Sequence, residues 1–429
     1  MKRKELDYLL KWKASKTRKP LILKGVRQVG KTWLLREFGK TSYKKMAYVN
    51  FESNATLKDL FQQDFDIERI LLGIEIETGV AIDPKNTLIV LDEIQEAPKA
   101  LTALKYFQEN APELHIVCAG SLLGVALNRE TSFPVGKVDF LHLRPLTLFE
   151  FMEAMGEKKL PDLLKKRNWK LIQSFKNKFK QLLRQYYYIG GMPEVVFSFS
   201  QKKDFRKARE IQKSILAAYE QDFSKHAPHG IVPRIRMLWN SIPAQLAKEN
   251  KKFIYGALRK GARAKEYELA LTWLKDCGLI YQIYNVAKPA IPLKAYEDRK
   301  SFKLFMVDVG LLAAMTNLDM RTLIEGNAIF QEFKGALTEQ YVLQELVGRK
   351  DVDIYYWSPE NARSEIDFLL QISGQVVPLE VKAEENLQAK SLRFFSEKYK
   401  PSRSIRTSMA DYREEPWMCN IPLYGICMI

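Results

Sequence analysis

Hydrophobic and polar positions follow one rhythm up to about residue 156 and others beyond it. In the first stretch, short apolar or β-branched runs at 21–23, 46–51, 88–91, 114–118 and 138–143 alternate with amphipathic stretches. Continuous apolar runs of this length suit strands buried on both faces, as in a parallel sheet covered by crossover helices. The alternation predicts an α/β core built that way. Residues 157–215 lose the strand runs and read as basic helices. Gly190-Gly191-Met192-Pro193 interrupts them, because Gly-Gly followed by Pro ends a helix and fixes a turn. Tyr186, Tyr187 and Tyr188 precede that break. Three adjacent residues cannot share one helix face, so at least one tyrosine is expected to be partly exposed.

Residues 216–325 contain three amphipathic helical stretches, roughly 232–247, 253–260 and 265–277. An alternating strand at 278–286 follows, with 289–296 as its expected return. Three helices and a hairpin make a winged helix, whose third helix leads into the DNA major groove with its N-terminal residues. Here those are Arg259, Lys260, Arg263 and Lys265. Packing as a lid on the core is an equal alternative. Residues 326–429 shift again, with a helix at 335–346 carrying Glu339, a strand at 364–370, a turn at Gly374 and a strand at 376–382. The predicted fold class is α/β in four segments: 1–156 a parallel-sheet core, 157–215 a helical lid, 216–325 a winged helix and 326–429 a second α/β domain.

Chemistry enters at Gly25-Val26-Arg27-Gln28-Val29-Gly30-Lys31-Thr32, which has the form G-x-x-x-x-G-K-T. It follows a strand run and opens an amphipathic helix at Trp33, the context a phosphate-binding P-loop requires. Backbone N–H groups from Gly25 through Gln28, Val29, Gly30 and Trp33 would cradle phosphates at the positive end of that helix. Lys31 would reach the β- and γ-phosphates of ATP, and the Thr32 hydroxyl would bind Mg²⁺. The run Thr87-Leu88-Ile89-Val90-Leu91 ends in Asp92-Glu93, where a doubly wound sheet places its ligands. Asp92 is the expected Mg²⁺ partner and Glu93 the group that orients the attacking water. Ser121, after the next strand, is placed to sense the γ-phosphate or that water.

Composition narrows the classes. With 429 residues and 46% hydrophobic content the chain can fill several cores. No apolar run reaches the length of a membrane span, and Met1-Lys2-Arg3-Lys4-Glu5 lacks a signal peptide's apolar stretch. Cys118, Cys277, Cys419 and Cys427 show no metal-ligand spacing, and Cys118 reads as core; a reducing cytoplasm fits. His226 and His229 read as a loop pair, not ligands. Net charge is +17, and 151–280 holds most of the excess, with 27 Lys+Arg against 12 Asp+Glu. Clustered positive charge points to a polyanion partner, DNA above all, over a merely solvated helical surface.

In the last segment, Asp367 and Glu380 fall on neighbouring strands, and alternation puts Lys382 on the same face as Glu380. Converging carboxylates hold a divalent metal, Mg²⁺ or Mn²⁺, and a lysine beside them stabilises charge on a phosphodiester. Glu339 on the preceding helix would add a fourth group. This set resembles the active site of PD-(D/E)XK nucleases. Without metal, two such close carboxylates should leave at least one titrating abnormally high.

Taken together, the chain resembles the bacterial and archaeal predicted ATPases of the AAA superfamily, in which a P-loop core precedes a C-terminal domain of unknown function. Gly25 to Thr32, Leu91-Asp92-Glu93-Ile94-Gln95, Ala119-Gly120-Ser121-Leu122-Leu123, Gly190-Gly191-Met192-Pro193 and Phe302-Lys303-Leu304-Phe305-Met306-Val307-Asp308-Val309-Gly310-Leu311-Leu312 carry the resemblance. Gly191-Met192-Pro193 also resembles the G-x-P element of signal-transducing ATPases, which implies that Pro193 packs near the adenine. An arginine finger is open between Arg129 and Arg144. Two functions follow as expectations: an ATP-hydrolysing DNA-processing enzyme with a C-terminal nuclease site, or a nucleotide switch whose C-terminal domain binds a protein partner without cutting.

Overall fold

A computed structural model describes residues 1–120, 134–248, 251–325, 331–359, 364–385 and 388–429. The chain divides into two compact units, Met1–Arg144 with Asp276–Leu279, and Pro145–Lys275 with Ile280–Ile429. Among the described residues no helix is long and apolar enough to cross a membrane.

The first unit carries the expected parallel sheet. Its strands are β1 (Leu21–Lys24), β2 (Lys45–Asn50), β3 (Thr87–Asp92), β4 (His115–Ala119) and β5 (Asp139–His142), in the order β2-β3-β4-β1-β5. All four pairings are parallel. The helices Lys31–Ser42, Ala55–Gln63, Ile67–Thr78 and Pro98–Asn110 lie between the strands in sequence. Every residue of β3 and β4 is buried, as continuous apolar runs require. Cys118 packs in this core as expected, and burial pushes its thiol up.

In the second unit, β6 (Ile280–Val286), β7 (Glu297–Met306), β8 (Val352–Trp357), β9 (Ile366–Ile372), β10 (Gln375–Val381), β11 (Ile405–Ser408), β12 (Arg413–Glu414) and β13 (Cys419–Pro422) form one sheet, ordered β12-β13-β11-β10-β9-β8-β6-β7. The hairpin expected as a wing thus joins the sheet of the last segment, through Asn285 and Tyr356. Its return strand is 297–306, not 289–296. Pro289 and Pro292 have no N–H for a ladder, and Leu293–Tyr296 forms a 3₁₀ turn. The helix expected at 253–260 is a 3₁₀ turn at Tyr255–Ala257. There Phe253 N–H donates to the Phe302 carbonyl at 2.7 Å, which ties this backbone to β7. The expected boundary at 215/216 falls inside the 22-residue helix Phe205–His226.

All three tyrosines are buried, against expectation. Their helix, Lys176–Ile189, is enclosed on several sides: Tyr186 packs on Phe151, Tyr186 and Tyr187 on Tyr341, and Tyr188 on Phe205 and the Arg209 guanidinium. The break after it is a close backbone crossing. Gly190 has φ +72, and a Cβ there would collide with the Asp308 carboxylate, while one on Gly310 would collide with the Ile189 carbonyl. Gly191 N–H donates to Asp308 Oδ2 at 2.6 Å. Asp308 Oδ1 caps the next helix through Leu311 N–H at 3.0 Å. Two of the motifs that carry the family resemblance therefore meet at one buried carboxylate.

The helix Gln331–Leu346 fastens this junction with side-chain amides. Gln340 accepts from Met306 N–H (2.8 Å) and donates to its carbonyl (2.7 Å). Gln344 accepts from Val309 N–H (2.8 Å) and donates to Asp308 Oδ2 (3.1 Å). Buried polar groups matched this fully specify one packing.

Candidate nucleotide site and a buried ionic cluster

The loop after β1 has the backbone its sequence demands. Gln28 and Gly30 take φ of +65 and +91, in the left-handed region from which anion-binding nests of backbone N–H groups are built. A Cβ on Gly25 would collide with the Leu143 carbonyl oxygen. Gly30 is the N-cap of the helix Lys31–Ser42. Val29 is buried, so only its backbone is available to a ligand, whereas Trp33 is exposed.

Lys31 folds back onto the loop, its Nζ donating to the carbonyls of Gly25 (2.9 Å) and Val26 (3.0 Å). Burial pushes its pKa down to about 8, against the pull of Glu93 and Asp92 and with Arg27 adding to the fall. Asp92 sits at the end of β3. Its Oδ2 accepts from Thr32 Oγ1 (2.8 Å) and Tyr48 Oη (2.7 Å), and its Oδ1 from Glu93 N–H (3.0 Å). A hydroxyl and a carboxylate oxygen at this separation, beside the Gly25–Thr32 loop, fit the hard oxygen donors Mg²⁺ requires. Burial and the bond to Asp92 raise the Tyr48 phenol to about 12, so it stays a donor. Glu93 takes φ +50, a strained conformation for a non-glycine residue, and Gln95 Nε2 donates to its Oε2 at 2.7 Å. Ser121 and Arg129 lie outside the described residues.

Pro193 belongs to the second unit, where it opens the helix Pro193–Lys202 after the glycine crossing. Arg259, Lys260, Arg263 and Lys265 are all exposed, and Arg259 pairs with Glu266 at 3.0 Å.

The second unit also gathers Glu339, Asp367, Glu380 and Lys382, as the spacing predicted. β9 and β10 pair antiparallel with Leu379 opposite Phe368. Lys382 Nζ lies 2.7 Å from Glu380 Oε1, and Asp367 Oδ2 accepts from Val381 N–H at 2.7 Å. Three groups were not expected. Lys303 on β7, with no exposed side-chain surface, pairs with Glu365 and lies 3.8 Å from Glu339 Oε2; Lys251 pairs with Glu339 Oε1. Burial, then the charges of Glu339 and Glu380, push Asp367 well above the usual carboxylate range. Burial also raises Glu380, with Lys382 opposing. Burial works against Glu339 too, but Lys251 and Lys303 hold it below its ordinary value. Asp367 and Glu380 are thus pushed in the direction expected of crowded carboxyls, and Glu339 in the opposite one. The partners differ from the expectation: lysines and a backbone amide, and among the described residues no group of three or more His, Cys, Asp or Glu side chains is placed to hold a metal ion.

Several participants escaped the sequence reading. Arg3 is buried and braces the P-loop from behind, donating to the Val29 carbonyl (3.4 Å) and the Arg144 carbonyl (2.6 Å). Gly278, with φ +74, returns from mid-chain to face Val26 N. Neither leaves a local signal. Lys303 does: a single lysine inside Phe302-Lys303-Leu304-Phe305-Met306 marks a buried charge that must find a partner.

Comparison with known families finds three stretches of the chain. The family described as an AAA domain matches residues 17–152, a domain of unknown function (DUF8612) matches 180–322, and a second one (DUF4143) matches 334–424. No match was found among curated proteins. Among solved structures, the chain is similar to the Walker-type ATPase PABY2304 of Pyrococcus abyssi, at 15% identity and TM-score 0.47, over 73% of this chain and 95% of that one. It is also similar to a signal transduction ATPase with numerous domains, bearing a tetratricopeptide repeat sensor, from Pyrococcus horikoshii, at 13% identity and TM-score 0.28, over 82% of this chain and 46% of that one. Cdc6p from Pyrobaculum aerophilum matches at 12% identity and TM-score 0.25, over 73% and 92%. Residues 17–152 thus match the AAA-domain family and carry the P-loop geometry described above.

Proposed function

We propose that the chain binds and hydrolyses Mg-ATP and uses the cycle to act on DNA. The observation that carries the hydrolytic reading is the joint placement of Lys31, Thr32, Asp92 and Glu93 around one left-handed loop. Lys31 exchanges its two carbonyl partners for the β- and γ-phosphates, and the loop amides hold the phosphate oxygens. When bound, Mg²⁺ held by Thr32 and Asp92 neutralises phosphate charge. Tyr48 keeps Asp92 oriented. Glu93 turns the attacking water toward the γ-phosphate, and Gln95 fixes the carboxylate that does so.

The exposed Arg259, Lys260, Arg263 and Lys265 support nucleic acid as the polyanion. Each phosphate contact releases counterions, so affinity should fall steeply with salt. Measuring ATP turnover with and without duplex, single-stranded and branched DNA, alongside a salt series for the Ala quadruple variant at those positions, tests this. Turnover indifferent to all three nucleic acids, with no salt dependence of binding, refutes the DNA reading. Absence of turnover under every condition refutes the hydrolytic one.

One observation favours a second reading for the C-terminal domain. Glu339, Glu365 and Glu380 are already partnered by lysines and Asp367 by a backbone amide, which suits a nucleotide switch whose last domain binds a partner without cutting.

A further inference from the structure

We infer that Lys303 and Lys251 stand in the cation position of the C-terminal acidic cluster, so that this domain is neutralised by its own chain and takes no divalent metal. The inference deepens the second reading above and is independent of ATP hydrolysis in the first unit.

Glu339, Glu365, Asp367 and Glu380 are four carboxyl groups around one buried space, and Lys303, Lys251 and Lys382 are the cations facing them. Lys303 is central: its ammonium interacts with Glu365, Glu339 and Asp367 at once and has no exposed surface. Both oxygens of Glu339 face lysines, Oε1 toward Lys251 and Oε2 toward Lys303. A divalent ion needs several carboxylate oxygens at about 2.0–2.6 Å. The ammonium groups already face those oxygens, and they would repel an entering cation. Burial opposes charge on Lys303, yet the surrounding carboxylates raise its pKa, so it stays cationic.

The origin of the charges gives the cluster its meaning. Lys251 and Lys303 come from the stretch matched by one family, 180–322, and the four acids from the stretch matched by another, 334–424. The middle of the chain therefore supplies two of the three counter-ions of the last domain, and Lys382 of that domain the third. Within the cluster, Glu339 Oε2, Glu380 Oε2 and the Lys303 ammonium are buried without a hydrogen-bond partner, so charge rather than hydrogen bonding holds them. Removing an ammonium from this set should leave the carboxylates more anionic, with two free acceptors already in place.

The test titrates full-length protein with Mn²⁺ in the absence of nucleotide, by calorimetry and by thermal unfolding. Wild type should show no Mn²⁺ binding that depends on Glu380, judged against Glu380→Gln. Lys303→Met, which removes the charge and keeps the bulk, should gain at least tenfold in Mn²⁺ affinity and an upward thermal shift with Mn²⁺. Both gains should vanish in Lys303→Met/Glu380→Gln. Should Lys303→Met fail to fold, Lys251→Met is titrated the same way and should gain in the same direction. Glu380-dependent Mn²⁺ binding by wild type overturns the inference whatever the variants do. So does a folded lysine variant that gains nothing. ATP turnover measured on the same samples reports the first unit separately, so loss of one reading is not mistaken for loss of the other.

Discussion

Two buried lysines, one in each unit, hold opposite kinds of partner. Lys31 rests on the carbonyl oxygens of Gly25 and Val26, and burial drives its pKa down to about 8. Lys303 rests among Glu365, Glu339 and Asp367, which raise its pKa despite complete burial. A lysine on neutral carbonyls is under-neutralised and ready for an incoming anion. A lysine on carboxylates is already neutralised, and removing it strands their charge. Burial alone therefore says little about a lysine's role, and the charge of its partners says most of it.

The widest separation of the two sites should come from Glu93→Gln. Turnover should fall by about 10²–10⁴-fold, because the water-orienting carboxylate is gone, while ATP still binds. Phosphate release and calorimetry read the two effects. If turnover survives, the catalytic carboxylate lies elsewhere. Next, the two lysines can be exchanged for Met in turn. Lys303→Met should lower unfolding stability by about 3–5 kcal/mol in a denaturant titration without added metal. Lys31→Met should stay within about 1 kcal/mol of wild type, since it removes hydrogen bonds to carbonyls that water can replace, yet it should abolish tight ATP binding. Equal stability losses would erase the contrast.

Gly191→Ala tests the rigidity of the second unit. A Cβ there meets the Leu146 backbone, and the resulting shift should cost about 1–3 kcal/mol. The mildest effect is a pH dependence. The folded empty site holds Lys31 at about 8, below its unfolded value of about 10.4. Between those values the unfolded chain binds the extra proton, so this lysine's contribution makes stability rise with pH there. Phosphates favour the charged form, so ATP affinity should weaken as pH climbs through about 8, and binding there should take up about half a proton. Calorimetry in buffers of different ionisation enthalpy measures that uptake.

Features local in sequence were legible. β3 and β4 were visible as apolar runs, because burial on both faces forces them. The P-loop was visible because glycine, lysine and threonine must stand at fixed spacing to wrap a phosphate. The order helix, strand, hairpin around Glu339, Asp367 and Glu380 was also readable. What escaped was set by distant pairing. Periodicity could place Lys382 beside Glu380, two residues away, but not Lys251 beside Glu339, 88 residues away. The tyrosine run departs from expectation for a related reason: partners from three other parts of the chain enclose the last turn of its helix, while its solvent face, with Asn177, Lys178 and Gln181, lies earlier.

The crossing of Gly190–Gly191 with Asp308 carries a consequence for the order of assembly. Its closing hydrogen bond spans 117 residues. Closing so long a loop carries an entropic cost that local contacts avoid, so this bond should be among the late ones to form. Until then the glycine pair is a swivel between the helices Lys176–Ile189 and Pro193–Lys202, and afterwards it is a fixed corner. The same two residues would serve first as a joint during folding and then as a weld in the finished protein.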